Sequence, residues 1–157
     1  MKKICYILLA VSLLACSDDD GGPAPNPNLD LVVGTWELTE LRINPAQDID
    51  GDGSTTTNVL DELACVEGTL TVRSDNTWSF SGTDVVITTI TGGLFKFFCA
   101  EQPRTSGGNW DLQGNTLRLA DGTGNLALFA IDATAVSLTN LIGEQLPGLQ
   151  AEVYTKP

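Results

Sequence analysis

Short segments in which apolar and polar residues alternate fill most of the chain, from Leu31 to Thr155. Clusters of Gly, Asn and Asp separate these segments at intervals of about ten residues. Alternation with period two is typical of a strand that has one buried and one solvated face, and regularly spaced turns are typical of antiparallel sheet. Nine or ten such strands favour a closed barrel or a sandwich, because closure removes exposed strand edges. The sequence therefore predicts an all-β domain.

Two predicted hairpins show this alternation most clearly. The first surrounds a polar turn at residues 74–76 and the second a polar turn at residues 113–115. The predicted buried faces are Leu70, Val72, Trp78 and Phe80 in the first hairpin, and Trp110, Leu112, Leu117 and Leu119 in the second. One short helix is predicted over residues 59–64, with Thr57 or Asn58 as its N-cap.

The N-terminus has the layout of a secretory signal. Lys2 and Lys3 precede an apolar run over residues 4–15, which ends in Leu-Leu-Ala before Cys16. As a helix this run spans only about 18 Å, less than the roughly 30 Å of a bilayer's hydrocarbon core. Its ending resembles a lipobox, so residues 1–15 are predicted to be a lipoprotein signal peptide and Cys16 to carry the lipid. The alternative is an incidental cysteine in an uncleaved signal.

An acidic, proline-rich linker is predicted over residues 16–30. The Ser-Asp-Asp-Asp stretch at residues 17–20 resembles the signal that sends certain Gram-negative lipoproteins to the outer face of the cell, the alternative being a plain solvated linker. Three prolines within residues 23–27 disfavour both helix and strand. We expect a disordered linker, a barrel domain over residues 31–157, and attachment to the outer membrane with the domain exposed at the surface.

The cysteine count predicts one disulfide. Of the four cysteines, Cys5 would leave with the signal peptide and Cys16 would take the lipid, so Cys65 and Cys99 remain as a pair in an oxidising compartment. The alternative, a redox-active thiol, is disfavoured because neither residue stands in a Cys-x-x-Cys motif.

The balance of ionisable side chains narrows the function further. The chain has 8 Lys and Arg against 20 Asp and Glu; without residues 1–15 the difference is 6 − 20 = −14. Nucleic acid is not expected as a partner because no basic stripe is present. There is no histidine, which removes most nucleophilic and zinc chemistry, so we do not expect an enzyme. A carboxylate-based hydrolase using Asp61, Glu62 or Asp111 is the catalytic alternative.

An Asp-x-Asp-x-Asp-Gly sequence places Asp48, Asp50 and Asp52 at positions 1, 3 and 5 of a candidate calcium loop. Hard cations favour several carboxylate oxygens around a tight glycine turn. The pattern then departs from the standard loop, because position 12 is valine, so Asp61 or Glu62 could complete the site only in a longer loop. The alternative is a solvated Asp/Gly turn without a metal.

The order of several motifs resembles a known family. These motifs are Gly34-Thr35-Trp36, the acidic glycine-rich loop, Cys65, the Trp78 and Phe80 strand, Cys99, Gly108 to Leu112, and Asn115-Thr116-Leu117. Together they resemble the lipocalin-like domains of bacterial surface lipoproteins. The resemblance implies an antiparallel barrel of about eight strands, with the tryptophan of the first strand near the closed end. It implies no chemical activity, but analogy to true lipocalins suggests a small apolar ligand.

Aromatic residues supply the candidate ligand site. Phe95, Phe97 and Phe98 break strict alternation, so at least one of these rings should face solvent, a barrel mouth or a partner. We expect an apolar ligand to bind near them, in a monomeric protein. The alternative is a structural or partner-binding module whose interior is filled by its three tryptophans.

Overall fold

The computed structural model describes residues 26–134, 136–142 and 148–157. The predicted signal peptide, the lipidated Cys16 and most of the predicted linker lie outside the described residues. Within the described part of the chain, no helix is long and apolar enough to span a membrane.

Nine strands within the described residues form one antiparallel sheet. They are β1 (Gly34–Gln47), β2 (Thr56–Asn58), β3 (Gly68–Val72), β4 (Thr77–Thr89), β5 (Phe95–Gln113), β6 (Thr116–Asp121), β7 (Leu126–Asp132), β8 (Ser137–Leu141) and β9 (Leu149–Thr155). Their order in the sheet is β2-β1-β3-β4-β5-β6-β7-β8-β9. A four-residue helix, α1 (Leu29–Val32), precedes β1, and 3₁₀ turns lie at Val59–Asp61 and Thr91–Gly93.

The sheet closes on itself along β1. The start of β1 pairs with β3, and from Glu37 to Ile43 the same strand pairs with β9. β2 pairs only with the later half of β1, where Arg42 lies opposite Asn58, so it stands outside the closed ring of eight strands. The predicted fold, an all-β antiparallel barrel of about eight strands with one short helix, is confirmed.

Both predicted hairpins are confirmed. The cross-strand pairs are Leu70 with Phe80, Val72 with Trp78, Trp110 with Leu119, and Leu112 with Leu117. All of these side chains are buried except Leu112, which is half-buried against the others. At the predicted short helix the structure has a single 3₁₀ turn, and the Asn58 side chain caps it by accepting a hydrogen bond from the backbone N–H of Leu60.

The ribbon formed by β4 and β5 is longer than the alternation predicted. The sequence predicted short segments separated by turns at intervals of about ten residues, whereas β4 has 13 residues and β5 has 19. Pairing between β5 and β6 ends at Gly108, opposite Asp121, so among the described strands only β4 lies beside the earlier part of β5. Proline is tolerated at position 103 because this free edge requires no N–H from it.

One end of the barrel is filled by an apolar cluster beneath α1. Val32 and Trp36 are fully buried there, and all three tryptophans belong to the cluster. Asn28 fastens α1 to the β5–β6 turn, because its Nδ2 donates a hydrogen bond to Oδ1 of Asn115 at 2.9 Å. The tryptophan of the first strand thus lies at a covered end, as the family resemblance implied.

A second apolar cluster fills the other end. Val59 and Val66, from the connection between β1 and β3, pack there with Leu41 and Phe97. The predicted Cys65–Cys99 disulfide is present and joins this connection to β5. The bridge therefore holds a long surface connection against the barrel end that it covers.

Candidate functional site

A cavity of about 440 Å³ lies inside the barrel, against the first apolar cluster. Its apolar wall is formed by Leu70, Trp78, Phe80, Leu119, Ala127 and Phe129. These residues come from four strands, and each lies on the inward face of its strand because successive side chains alternate between the two faces. Small-molecule sites have volumes of about 300–1,000 Å³, so this cavity is large enough for a small ligand.

A polar group of residues crosses the middle of the barrel. The polar wall of the cavity consists of Arg104, Thr105, Ser106, Asp121, Asn140, Glu152 and Tyr154. A smaller cavity of about 90 Å³ lies toward the second cluster and shares Arg104, Glu152 and Tyr154 with the larger one. The barrel interior is therefore apolar at both ends and polar between them.

The side chains of this polar group contact one another and the aromatic wall. Nδ2 of Asn140 donates a hydrogen bond to Oε2 of Glu152 at 3.3 Å. The guanidinium of Arg104 lies over the Phe80 ring, 4.7 Å from its centroid, in a cation–π contact. Burial raises the pKa of the Tyr154 hydroxyl well above its ordinary value, and the charge of Glu152 raises it further. Tyr154 is therefore protonated at neutral pH and can donate to the Glu152 carboxylate.

The cavity reaches the surface where β5 runs past the end of β6. Arg104 and Thr105 are exposed at this point, and Ile142, just after β8, borders the cavity from the other side. Asp121 stands at the end of β6, where hydrogen bonds from Thr123 and Asn125 lower its pKa to about 2. Asp121 therefore contributes a negative charge to this rim at neutral pH, and the exposed Arg104 contributes a positive one.

Sequence reasoning did not identify this polar group. In the Ala-Glu-Val-Tyr-Thr sequence of β9, alternation places Glu152 and Tyr154 on one face of the strand and Ala151 and Val153 on the other. The face with polar side chains is normally interpreted as the one exposed to solvent. The structure instead lines the barrel interior with Glu152 and Tyr154. A tyrosine two residues after a glutamate was the one local signal, because large aromatic side chains favour the interior.

The three predicted ligand-binding phenylalanines lie elsewhere. Phe97 is buried in the second cluster and Phe95 is half-buried against it. Phe98 is 41% exposed, which confirms that at least one of these rings faces solvent. None of the three lines either of the two interior cavities.

The predicted calcium loop brings four carboxylates together. Asp48, Asp50, Asp52 and Glu62 each offer an oxygen, and these oxygens lie within 4.8 Å of one another. The loop is stabilised from within, because the side-chain carboxylate of Asp48 accepts hydrogen bonds from the backbone N–H groups of the glycines at positions 51 and 53. Carboxylate oxygens are the ligands that Ca²⁺ prefers, so this set has the right chemistry for that ion.

The structure distinguishes between the two residues that could complete the loop. Glu62 turns toward the aspartates, and its Oε2 accepts hydrogen bonds from the N–H groups of Ile49 and Asp50. Asp61 points elsewhere, accepting hydrogen bonds from Thr56 and Asn58. The fourth carboxylate thus comes from position 15 of the loop, a placement that depends on the 3₁₀ turn before it.

Comparisons with protein-family models, with curated proteins and with solved structures found no match to this chain. The relation to lipocalin-like lipoprotein domains therefore remains a prediction from the sequence. Of the carboxylates considered for hydrolase chemistry, Asp111 forms an ion pair with Arg118 at 3.6 Å and does not line the interior cavity.

Proposed function

We propose that this protein is a lipid-anchored surface lipoprotein, related to the lipocalin-like domains, whose barrel binds a small, largely apolar ligand. The observation that carries this proposal is the cavity of about 440 Å³ between the apolar clusters. Ligand pockets are typically apolar, with a few polar groups that orient the ligand. The aromatic wall and the group around Glu152 fit that description. The proposal includes no catalytic role.

Two variants in which an alanine of β7 is replaced by phenylalanine test ligand binding. Ala127 lines the cavity, whereas Ala130 lies three residues later on the exposed face of the same strand. A phenylalanine at position 127 would fill part of the cavity, and one at position 130 would project into solvent. The probe is Nile red, an uncharged dye that becomes fluorescent in apolar surroundings.

We expect saturable Nile red binding by the wild-type domain and by Ala130→Phe. Binding by Ala127→Phe should be at least about tenfold weaker, because the ring occupies space that the dye needs and a tenfold change corresponds to only about 1.4 kcal/mol. Circular dichroism would verify that both variants are folded. Absence of saturable binding to the wild-type domain, or equal binding by both variants, would contradict the proposal.

The lipid anchor has its own test. The apolar run before Cys16 and the Leu-Leu-Ala sequence support acylation at that sulfur, and stable anchoring needs two or more acyl chains. We expect Cys16→Ser to move the protein from the membrane fraction to the soluble fraction. Protease added to intact cells should degrade the wild-type domain if it faces outward. A serine variant that still fractionates with membranes would contradict the anchor.

A second candidate function is a module that binds a protein partner. Four apolar side chains near the tip of the β4–β5 ribbon, Val86, Ile90, Leu94 and Phe98, are each at least 37% exposed. Exposed apolar patches of this kind are typical of interaction sites. The two candidates predict opposite results with Nile red. Ligand binding predicts sensitivity to Ala127→Phe, whereas a partner-binding tip predicts that dye bound to the protein is lost on Phe98→Ser.

A further inference from the structure

The charges around the larger cavity indicate what kind of head group it accepts. Of the described residues that line this cavity, three are charged: Arg104, Asp121 and Glu152. The formal net charge of these three side chains is one negative charge. In a partly dehydrated interior, charge interactions are stronger than in water, so this imbalance discriminates between ligands that differ in charge.

Glu152 is the acceptor best placed to contact a ligand. Its side chain is half-buried and lines both interior cavities, so it lies beside the space that a bound molecule would fill. An ionised carboxylate has about four lone-pair sites. Asn140 uses one of them on Oε2, and the protonated Tyr154 hydroxyl can use one more. Acceptor capacity therefore remains for a donor group on a ligand.

Asp121 contributes charge to the rim but little hydrogen-bonding capacity. Its Oδ1 already accepts hydrogen bonds from both the N–H and the hydroxyl of Thr123 and from the N–H of Asn125, and its Oδ2 accepts one from the Asn125 side chain. The carboxylate repels an anionic head group at the rim without competing with Glu152 for a donor.

Arg104 supplies the positive charge among these residues, and its position limits its influence on the charge of the ligand. The guanidinium lies over the Phe80 ring at the exposed side of the cavity. In this position it forms part of the aromatic wall, where the alkyl portion of a ligand would pack. A single arginine here does not outweigh two carboxylates in selecting the charge of a ligand.

We infer that the cavity binds amphiphiles whose head group is a cationic hydrogen-bond donor, such as a primary alkylamine, with the head group at Glu152 and the alkyl chain against Trp78, Phe80 and Phe129. The inference rests on the proposed ligand-binding function and specifies its ligand class.

Three ligands with the same ten-carbon chain and different head groups test the inference. Decylamine, decanol and decanoate would each be titrated against the Nile red complex at neutral pH in 0.15 M salt, below their micelle concentrations. We expect decylamine to displace the dye at a concentration at least about tenfold lower than decanoate, with decanol between them. One hydrogen bond to a charged group contributes about 1.5–3 kcal/mol, which corresponds to tenfold or more.

Glu152→Gln should reduce the preference for decylamine over decanoate to about threefold or less. The matched control is Glu40→Gln, which removes the same charge from an exposed position that lines neither interior cavity. It should keep the preference, because the Glu40 carboxylate forms an ion pair with Arg42 and does not border the space that a ligand would occupy. Arg104→Gln is a second variant with the opposite expected effect, a larger preference for decylamine.

The possible outcomes separate the inference from the function on which it rests. Dye binding with decanoate as the tightest competitor, or with equal competition by all three ligands, would overturn the inference and leave the ligand-binding proposal in place. A preference for decylamine that survives Glu152→Gln unchanged and is not raised by Arg104→Gln would also overturn it. Absence of dye binding would overturn both.

Discussion

The indole Nε1 of Trp36 donates a hydrogen bond to the backbone carbonyl of Val32 at 2.8 Å, and both residues are fully buried. This hydrogen bond fastens α1 to the beginning of β1. The ammonium of Lys156 lies 4.9 Å from the centroid of the Trp36 ring and also donates a hydrogen bond to the carbonyl of Val33. A single indole thus joins the helix, the first strand and the C-terminal segment at one end of the barrel.

Trp36→Phe is expected to lower the free energy of unfolding by about 2–4 kcal/mol, because it leaves a void and an unsatisfied buried carbonyl. Urea unfolding followed by circular dichroism would measure this loss. Phe98→Leu, a change at a half-exposed ring, is the control. A loss for Trp36→Phe of about 0.5 kcal/mol or less, the range of ordinary surface substitutions, would show that the indole does not hold α1 in place.

Removal of the Cys65–Cys99 disulfide is expected to destabilise the domain by about 3–4 kcal/mol, the chain-entropy value for a loop of this size. The two cysteines are 34 residues apart, and the bridge restricts the unfolded chain. Urea unfolding with and without dithiothreitol would measure the effect. The double variant Cys65→Ser, Cys99→Ser should be as unstable as the reduced wild type and insensitive to the reductant. A reductant effect on the double variant would contradict this explanation.

The acidic loop is predicted to bind Ca²⁺ with Glu62, and not Asp61, as its fourth carboxylate. We expect millimolar Ca²⁺ to raise the melting temperature of the wild-type domain, because a ligand at ten to a hundred times its Kd stabilises the folded state by about 1.4–2.7 kcal/mol. Four clustered carboxylates would also repel one another less when a cation lies between them. Differential scanning fluorimetry with added Ca²⁺ and then with excess chelator would measure the shift and its reversal.

Two variants locate the calcium effect. Glu62→Gln should abolish the shift, because Glu62 belongs to the carboxylate cluster. Asp61→Asn should retain it, although the variant starts from a lower melting temperature, since Asp61 accepts hydrogen bonds from Thr56 and Asn58. An unchanged transition of the wild-type domain at millimolar Ca²⁺ would identify the loop as a solvated Asp/Gly turn.

Asp121 predicts a specific dependence of stability on pH. Hydrogen bonds from Thr123 and then Asn125 lower its pKa from 3.8 to about 2 in the folded barrel. Because the folded pKa is the lower one, these hydrogen bonds stabilise the fold above pH 3.8, and this contribution is lost as the pH falls through about 2. Asp121→Asn should therefore flatten the fall in melting temperature between these pH values, whereas Asp30→Asn should not. Equal slopes for wild type and Asp121→Asn would contradict the prediction.

The hairpins could be predicted from the sequence because their information is local. Strict alternation on both sides of a short polar turn determines which residues face inward, and a register slip by one would expose the whole apolar set. Pairs such as Leu70 with Phe80 follow directly. The disulfide was also predictable, because the expected cleavage that removes Cys5 and the expected lipidation of Cys16 left Cys65 and Cys99 as a pair.

The length of β4 and β5 could not be predicted in the same way. Glycines and the proline at position 103 indicate a break when the chain is read alone. In the folded protein these residues stay in the ribbon because β4 supplies the hydrogen bonds on one side and the other edge needs none there. The early end of β6 then leaves the gap in the wall through which the cavity reaches the surface.

The alternation of side chains by itself determined that this chain forms antiparallel β-sheet, and the predicted roles of Cys5 and Cys16 left Cys65 and Cys99 as the disulfide pair. Only the tertiary structure decided that Glu152 and Tyr154 face the interior and that Glu62, not Asp61, joins the acidic loop. The reason is physical. Strand periodicity depends on near neighbours in the chain, whereas the polarity of an interior face and the shape of a long loop depend on residues far away in sequence that closure of the barrel brings together.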